Sequence, residues 1–597
     1  MEKEIKERKD VLESDKWDLT TIYKSNEEWE KDISKIPELT KEIASYKGKL
    51  SENAGTLLCA LKSLETLSRI IDKAWNYASL KLSEDEGNPD SLDREGRITM
   101  AYSKMQAEIS FFEPELLNIQ DEKINEWISG SDFDDYRIFI KKILHHKAHT
   151  LSEKEERLLS LEMESARTAE NAFGMLTNVD LQFESVTVDG EKQPLTQSTY
   201  GVFLQNPNRA VREEAYKKFY AGFNAHANTL ASLYAGSVNH DVFVSRVRGY
   251  SSSLEMGLFS DKVDESVYRN LIATVHKNLP DLHRYYSLRK KVLGLSELRH
   301  WDVSVPLVKG VKMTTKYEDA VEICRAALSV LGKEYTDTIS NGLLNGWVDR
   351  YENKGKRSGA FSSGAYTGYP YILLNYKEDD IRDVFTMAHE GGHSMHSFYS
   401  AQSNPFMHYS YTIFEAEVAS TFNEELVFEY LLKEAKDESV KKYLLSMRAA
   451  DIVSTLHRQT MFAEFELLAH ESVENGTPLS ADVLRKIYRS LLETYFGPEM
   501  IFEKESDLEG LRIPHFYGAF YVYKYATGIS ASLALASRVS SGGEKEREDY
   551  FKFLRSGGSR YPIESLRIAG VDMASTTPVQ SALNTFKKIV EELESSL

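Results

Sequence analysis

The chain has 597 residues, 42% of them hydrophobic, which is enough for two or more domains or for one large two-lobed body. Its formal net charge of −19 disfavours nucleic acid and anionic membrane surfaces as partners, because both are negatively charged. The two cysteines, Cys59 and Cys324, are too few for a disulfide framework or a cysteine-based zinc site and indicate free thiols in a reducing compartment.

The first ten residues, MEKEIKERKD, are charged and lack the apolar stretch of a secretory signal. No window approaches about 18 consecutive apolar residues, so we expect a cytoplasmic protein that does not span a membrane. Residues from about 17 to 170 alternate between polar and apolar with a period of about 3.6, which predicts one helix after another. This stretch does not group histidines, cysteines or paired acids as a reaction centre would.

Two later stretches have the pattern of β-strands. Residues 179–188, VDLQFESVTV, alternate and lead into Asp189-Gly190, a hairpin signal. Residues 359–376 are rich in Tyr, Ile and Leu and are interrupted by Gly and Pro. Helical spacing is found in the remaining long segments, 208–340, 378–495 and 515–540.

The predicted fold is therefore mainly α, a large multi-helix body with one small β-sheet beside the helix predicted over residues 381–396. We place a domain boundary near residue 195. It separates an N-terminal helical region, 1–195, from a second region, 196–597, that contains all the candidate site residues.

The segment IRDVFTMAHEGGHSMH contains the pattern His-Glu-x-x-His. His389 and His393 are four residues apart, so on a helix they project from one face and can bind one metal ion. Catalytic zinc sites commonly use two histidines and one carboxylate and leave a fourth position for water. Glu390 is rotated by about 100° from His389 around the helix, outside the ligand set but within reach of that water. This is the position of a general base.

A third ligand is expected from the segment FEAEVASTFNEE. Glu417 follows His393 by 24 residues, which allows a second helix to return to the first, and Glu424 lies on the same face of that helix. One of the two glutamates can ligate the metal, and the other can hold a ligand histidine by its free ring nitrogen. Glu415 and Glu425 are expected to be surface charges.

Three further features surround the motif. Gly391 and Gly392 each cost a helix interior about 1 kcal/mol relative to alanine and are expected where another backbone or a substrate approaches closely. His396 shares the face of the two ligands, but three histidines from one helix strain tetrahedral geometry, so we expect it to pack or to support a ligand. The sheet segment beginning at Gly359 and Ala360 can bind an extended peptide at its edge.

A second group of candidates lies in the segment GLRIPHFYGAFYVYKYATG. Tyr517, Tyr521 and Tyr525 are four residues apart and are predicted to lie along one helical face, with His515 before them and Tyr523 off that face. A phenol or imidazole of this group can stabilise the oxyanion of a tetrahedral intermediate. Spacing alone favours an aromatic stripe that only packs.

These motifs resemble the oligoendopeptidase F branch of the thimet oligopeptidase-like zinc metallopeptidases. The resemblance extends from residue 15 almost to the end of the chain. It is strongest in FTMAHEGGHSMHS (385–397), AEVASTFNEE (416–425), HRQTMFAEFE (457–466), IPHFYGAFYVYKYATG (513–528) and GGSRYPIESLRIAGVDM (557–573). Gly391 is a departure, since relatives often have a larger residue there.

The resemblance implies a prolate, mainly helical fold with a deep substrate channel and one zinc ion. It implies that His389, His393 and Glu417 are the ligands, that Glu390 is the catalytic acid or base, and that internal bonds of short, unfolded oligopeptides are cleaved. In the family, a histidine and tyrosines of the C-terminal segment contact the substrate. Here the histidine is His515, and the tyrosine that stabilises the oxyanion stays open among Tyr517, Tyr521, Tyr523 and Tyr525, with Tyr521 as our choice.

Three other functions are compatible with these residues. A carboxypeptidase or other exopeptidase on a related helical scaffold needs a fixed Arg or Lys to bind a substrate terminus, and none can be assigned. An inactive peptide-binding protein would not need Glu390. A structural zinc site usually fills all four positions with protein ligands. No pattern in the sequence indicates an oligomeric state.

Overall fold

The computed structural model describes residues 5–308, 311 and 313–597, so the first four residues of the charged N-terminal segment lie outside the described chain. No helix of the described chain is both long and apolar enough to cross a membrane. The α-helices of these residues are α1 (Asn26–Ala44), α2 (Ala54–Glu84), α3 (Pro89–Ile109), α4 (Phe112–Leu117), α5 (Asp121–Ser129), α6 (Arg137–His145), α7 (Glu153–Ala166), α8 (Thr168–Met175), α9 (Gln197–Leu204), α10 (Arg209–Ala225), α11 (Ala227–Val247), α12 (Ser253–Phe259), α13 (Glu265–Val292), α14 (Tyr317–Ala327), α15 (Lys333–Leu344), α16 (Arg382–Ser403), α17 (Ile413–Glu434), α18 (Glu438–Ile452), α19 (Arg458–Glu474), α20 (Ala481–Phe496), α21 (Tyr523–Ser541), α22 (Glu544–Ser556), α23 (Pro562–Ile568) and α24 (Thr577–Ser596).

Short strands of the described chain form three small sheets. The strands are β1 (Val186–Val188), β2 (Glu191–Gln193), β3 (Leu298–Arg299), β4 (Val348–Asp349), β5 (Phe361–Ser363), β6 (Tyr371–Leu373) and β7 (Met500–Ile501). β1 and β2 form an antiparallel hairpin, and β3 pairs in parallel with β7. In the third sheet, β6 is central, with β4 parallel and β5 antiparallel to it. β5 is thus an edge strand, with Ser362 opposite Ile372.

The chain folds into two compact units, each made of three stretches of sequence. Unit 1 comprises Met1–Ala148, Lys312–Lys433 and Leu535–Val571, and unit 2 comprises His149–Val311, Glu434–Ala534 and Asp572–Leu597. None of these boundaries coincides with the predicted division near residue 195. Contacts between residues far apart in sequence define the units, and one cut through a linear sequence cannot represent them. Separate roles for 1–195 and 196–597 stay a prediction.

Helix α2 is the centre of the N-terminal core of unit 1. It begins after Asn53, whose side chain accepts a hydrogen bond from the N–H of Thr56 and so caps the helix. α1 and α3 both pack against it, which buries Trp29 and Ile98 beside its apolar face. That face repeats every three or four residues, as an amphipathic helix requires, in Leu57, Leu61, Leu64, Leu67 and Ile71.

The mainly helical fold is confirmed, and the strand predictions are partly right. Asp189 and Gly190 form the hairpin turn with φ of 51° and 89°, the positive values that such a two-residue turn requires. The strand prediction is wrong before Val186, because residues 179 and 180 belong to the π-helical turn Leu176–Asp180 that extends α8, and residues 181–185 are irregular. The prediction of one sheet is also wrong, since strands of two residues, such as β3 and β7, are too short to show alternation.

Candidate metal centre

Two helices of unit 1 bring the three candidate ligands together. α16 contributes His389 and His393 from one face, and α17 contributes Glu417. The Nε2 atoms of the two histidines are 3.2 Å apart, and Oε2 of Glu417 is 3.5 Å from Nε2 of His389 and 3.7 Å from that of His393. Donor atoms about 2.0–2.2 Å from a tetrahedral zinc ion lie roughly 3.3 Å from one another. The arrangement of these three side chains therefore fits a metal ion.

Gly392 allows α17 to approach α16, and Gly391 allows a side chain of α15 to do so. A Cβ atom on Gly392 would lie 2.5 Å from the carbonyl oxygen of Ala419 and 2.7 Å from Cα of Ser420, both in the backbone of α17. A Cβ atom on Gly391 would lie 2.9 Å from Cδ1 of Ile339 in α15. The close backbone approach expected from the sequence is thus present at Gly392, and it brings Glu417 within reach of the histidines.

Glu424, the other candidate glutamate of α17, contacts a candidate ligand at the ring nitrogen that faces away from the other two donors. Oε1 of Glu424 is hydrogen-bonded to Nδ1 of His389, which leaves Nε2 directed at His393 and Glu417. Burial acts to lower the pKa of His389, but the carboxylates of Glu424, Glu390 and Glu417 raise it to about 9. Burial and the charge on His389 lower the pKa of His393 to about 3, so the His393 imidazole is neutral near pH 7. A neutral imidazole is the form that ligates metals, so His389 must release a proton to solvent when a metal binds, whereas His393 need not.

Glu390 lies beside the three candidate ligands and is 7% exposed, although it is not one of them. Burial raises the pKa of Glu390 to about 7. The charge on His389 and a hydrogen bond from the backbone N–H of Ser362 oppose this shift, while Glu417 and Glu424 add to it. A carboxyl group with a pKa near 7 can both accept and return a proton at neutral pH.

A cavity of about 460 Å³ lies over this group, a volume typical of ligand sites. Its wall combines β5, α16, the irregular stretch before α17 and the beginning of α17. Ala360, predicted to bind substrate, lines it, whereas Gly359 is outside the lining and turns the chain into β5 with a φ of 81°. The lining residues are Ala360, Phe361, Ser362, Gly364, His389, Glu390, His393, Ser397, Tyr409, Ser410, Tyr411, Ile413, Ala416 and Glu417.

Two tyrosines that the sequence analysis does not predict, Tyr409 and Tyr411, also line the cavity. In the sequence they are marked only by lying two residues apart, just before α17. The Tyr411 hydroxyl is 2.9 Å from Oγ of Ser397, and its ring stacks on His396 with 3.7 Å between the ring centroids. His396 is buried, and neither of its ring nitrogens has a hydrogen-bond partner. It therefore packs beneath a residue of the cavity wall.

The expectation that Glu415 and Glu425 are surface charges is wrong, because they are only 1% and 4% exposed. α17 is surrounded by other elements rather than lying on a surface, and its buried residues cover most of its circumference. Such a helix has no polar stripe from which exposed positions can be recognised.

The C-terminal candidates belong to unit 2, and the single helical face predicted for them is wrong. Residues Pro514–Tyr517 form a short 3₁₀ helix, and α21 begins only at Tyr523. Between them, Phe520 has a left-handed φ of 56°. The spacing of four residues therefore does not correspond to a turn of α-helix in this segment, because residues 518–522 are irregular.

His515, Tyr521 and Tyr525 form a ring cluster within unit 2. The rings of His515 and Tyr521 are nearly parallel, 6.2 Å apart, and those of Tyr521 and Tyr525 meet edge to face at 5.5 Å. His515 is exposed, while both tyrosines are half-buried. These three side chains are thus accessible on their unit.

The other two tyrosines of the segment pack inside unit 2. The ring of Tyr517 lies 4.7 Å from that of Phe173. Tyr523 is buried and packs 5.1 Å from the ring of Tyr268. A direct contact with substrate by Tyr517 or Tyr523 stays a prediction.

Comparisons with known proteins give one consistent family. Residues 202–585 match peptidase family M3, and residues 115–183 match the oligopeptidase F region of that family. An oligoendopeptidase F homolog of Borreliella burgdorferi is 44% identical over 98% of this chain and 99% of its own length. The oligopeptidase PepF of Bacillus subtilis is 39% identical over 100% of this chain and 89% of its own. A crystal structure of oligoendopeptidase-F from Enterococcus faecium matches with a TM-score of 0.75 and 32% identity, covering 96% of this chain and 99% of that one.

Proposed function

Because the chain belongs to peptidase family M3, we propose that it is a zinc-dependent endopeptidase that cleaves internal bonds of short, unfolded oligopeptides. The observation that carries this proposal is the donor set of His389, His393 and Glu417, with Glu390 beside it and outside it. Two imidazoles and one carboxylate suit zinc and leave one position open, as in catalytic rather than structural sites. Relatives named as oligopeptidases support peptides as substrates.

In this proposal, His389, His393 and Glu417 hold the zinc ion, and Glu424 fixes the orientation of His389. When bound, zinc polarises the peptide carbonyl and lowers the pKa of a water molecule to about 7. The peptide binds in extended form along the free edge of β5, where main-chain hydrogen bonds hold it beside the ligands.

Glu390 moves the proton. It accepts the proton of the attacking water and then donates it to the leaving amine, because an amide nitrogen leaves poorly as an anion. The burial that raises its pKa to about 7 suits both steps. The oxyanion-stabilising role that the family resemblance implies for His515 and Tyr521 stays a prediction, and their rings form an accessible cluster within unit 2.

The test is the digestion of an internally quenched peptide whose two ends are chemically blocked. An endopeptidase cuts it at an internal bond, whereas an exopeptidase needs a free terminus. We expect cleavage that 1,10-phenanthroline abolishes and that added zinc restores, with about one zinc per chain by elemental analysis. Cleavage of the unblocked peptide alone would favour the exopeptidase, and intact peptide with full zinc would indicate a binding protein.

A further inference from the structure

Helix α2, in the N-terminal part of unit 1, presents three polar side chains to the segments that line the metal cavity. Arg69, Asp72 and Asn76 are three and four residues apart, so they follow one face of the helix. Polar residues along one helix face usually point into solvent. Here, however, Asn76 is buried and Arg69 and Asp72 are half-buried. Each of them contacts β5, the β5–β6 connection or the stretch between α16 and α17.

Asp72 joins two separate parts of the cavity wall. Its Oδ1 accepts a hydrogen bond of 2.6 Å from the hydroxyl of Tyr409, which lines the cavity. Its Oδ2 accepts a hydrogen bond of 3.2 Å from the backbone N–H of Tyr366, in the connection that follows β5. An ionised carboxylate has only acceptor oxygens, so it satisfies both donors at once.

The residues on either side of Asp72 extend this contact. Oδ1 of Asn76 accepts a hydrogen bond of 2.7 Å from Oγ of Ser363, the last residue of β5. The guanidinium of Arg69 lies 4.6 Å from the ring centroid of Tyr366 and 5.1 Å from that of Phe406. α2 thus holds β5, its following loop and the stretch before α17 from one side.

The two segments also contact each other across Asp72. The hydroxyl of Tyr366 donates to the carbonyl oxygen of Asn404, and the rings of Tyr366 and Tyr409 meet edge to face with 5.1 Å between their centroids. Burial raises the pKa of Asp72, and the hydrogen bonds from Tyr409 and Tyr366 oppose this shift. The positive charge of Arg69 also opposes it. Partial burial is costly for a carboxylate unless hydrogen bonds and a nearby positive charge compensate for it.

We propose that Asp72 is a positioning residue for peptide binding. It fixes Tyr409 and the β5–β6 connection in the arrangement that an extended peptide meets at the edge of β5. This inference rests on the proposed peptidase function and deepens it, since it assigns part of substrate binding to an N-terminal helix with no metal-binding motif. Asp72 acts through Tyr409 and Tyr366 and does not contact the metal ligands.

The test compares Asp72→Asn with a matched variant, Asp32→Asn. Asp32 also accepts a hydrogen bond from a tyrosine hydroxyl in unit 1, that of Tyr23 at 2.9 Å, but neither residue lines the metal cavity. An asparagine keeps one acceptor oxygen and turns an NH₂ group toward the other donor. For Asp72→Asn we expect KM and the Kd of a quenched peptide to rise about 10-fold, with kcat, zinc content and Tm near those of the wild type. Asp32→Asn should leave KM and Kd unchanged.

Tyr409→Phe removes the same hydrogen bond from its other end and provides a second route if Asp72→Asn does not fold. We expect the double variant to match the larger single effect, about 10-fold, rather than the roughly 100-fold product of independent changes. Wild-type KM and Kd in both single variants would overturn the role of Asp72 and leave the peptidase function intact. A wild type that neither cleaves nor binds peptides would overturn both.

Discussion

The two segments that contain candidate site residues position them in different ways. In unit 1, α16 and α17 are regular helices, so the four-residue spacing of His389 and His393 places both side chains on one face. In unit 2, the chain passes from a 3₁₀ turn through Phe520 before α21 begins at Tyr523. Local backbone geometry defines the placement of the two histidines, whereas tertiary contacts must define the second arrangement.

Those tertiary contacts are visible around Phe520. Its backbone N–H donates a hydrogen bond of 3.1 Å to Oε1 of the buried Glu466. Its ring packs 4.6 Å from that of His470, and a Cβ atom on Gly257 would lie 2.8 Å from its Cδ2. A non-glycine residue in the left-handed region costs about 1–2 kcal/mol, which such contacts must offset. The comparison teaches that spacing identifies a site on helices but not one on irregular backbone.

The largest effect should come from the candidate metal ligands. It tests whether the residues that helical spacing brings together in unit 1 bind the metal. Glu417→Ala removes a ligand, so we expect the purified protein to lose its zinc and its activity. His396→Ala is the matched change in the same region and should keep its zinc, because His396 packs against Tyr411. Elemental analysis of both proteins is the measurement. Zinc lost from His396→Ala and kept by Glu417→Ala would reverse the ligand assignment.

The next effect concerns the irregular segment of unit 2. If Tyr521 donates to the oxyanion, Tyr521→Phe should lower kcat by about 10²–10³-fold, with zinc content and KM unchanged. Tyr525→Phe is the control, because Tyr525 belongs to the same ring cluster but lies in the first turn of α21. Steady-state kinetics of both variants decide. A larger loss of kcat in Tyr525→Phe would assign the hydrogen-bond donor to Tyr525. The donor would then lie on a regular helix, as the candidate ligands of unit 1 do.

A smaller effect is expected from replacing Glu424, which is hydrogen-bonded to Nδ1 of His389. Glu424→Gln weakens the hydrogen bond that orients His389, so zinc affinity should fall by about 10–100-fold while zinc at saturation restores most of the activity. Glu429→Gln is the control on the same helix, since Glu429 is exposed and accepts a hydrogen bond from Ser540. Competition with a fluorescent chelator measures the affinity. Equal zinc affinity in the two variants would mean that Glu424 does not tune the metal ligands.

The sequence was sufficient where local rules apply. The helical fold, the turn at Asp189-Gly190 and the pairing of His389 with His393 follow from short-range spacing on regular elements, whereas the choice of Glu417 over Glu424 came from the family resemblance. Other features depend on contacts between distant residues. The pair Asp72–Tyr409 spans 337 positions, and no local pattern marks either residue. The burial of Glu415 and Glu425 reflects helices that surround α17, which no single segment can indicate.

The central claim is that Glu390 moves protons beside a metal held by its neighbours. Glu390→Gln preserves size and shape and removes only the ability to accept a proton. The direct measurement is turnover of the end-blocked quenched peptide by this variant, with zinc content and peptide Kd determined on the same preparation. We predict full zinc, peptide binding at least as tight as in the wild type, and a kcat lower by at least about 10²–10⁴-fold. Full zinc with near wild-type turnover would contradict the account and remove Glu390 from the mechanism.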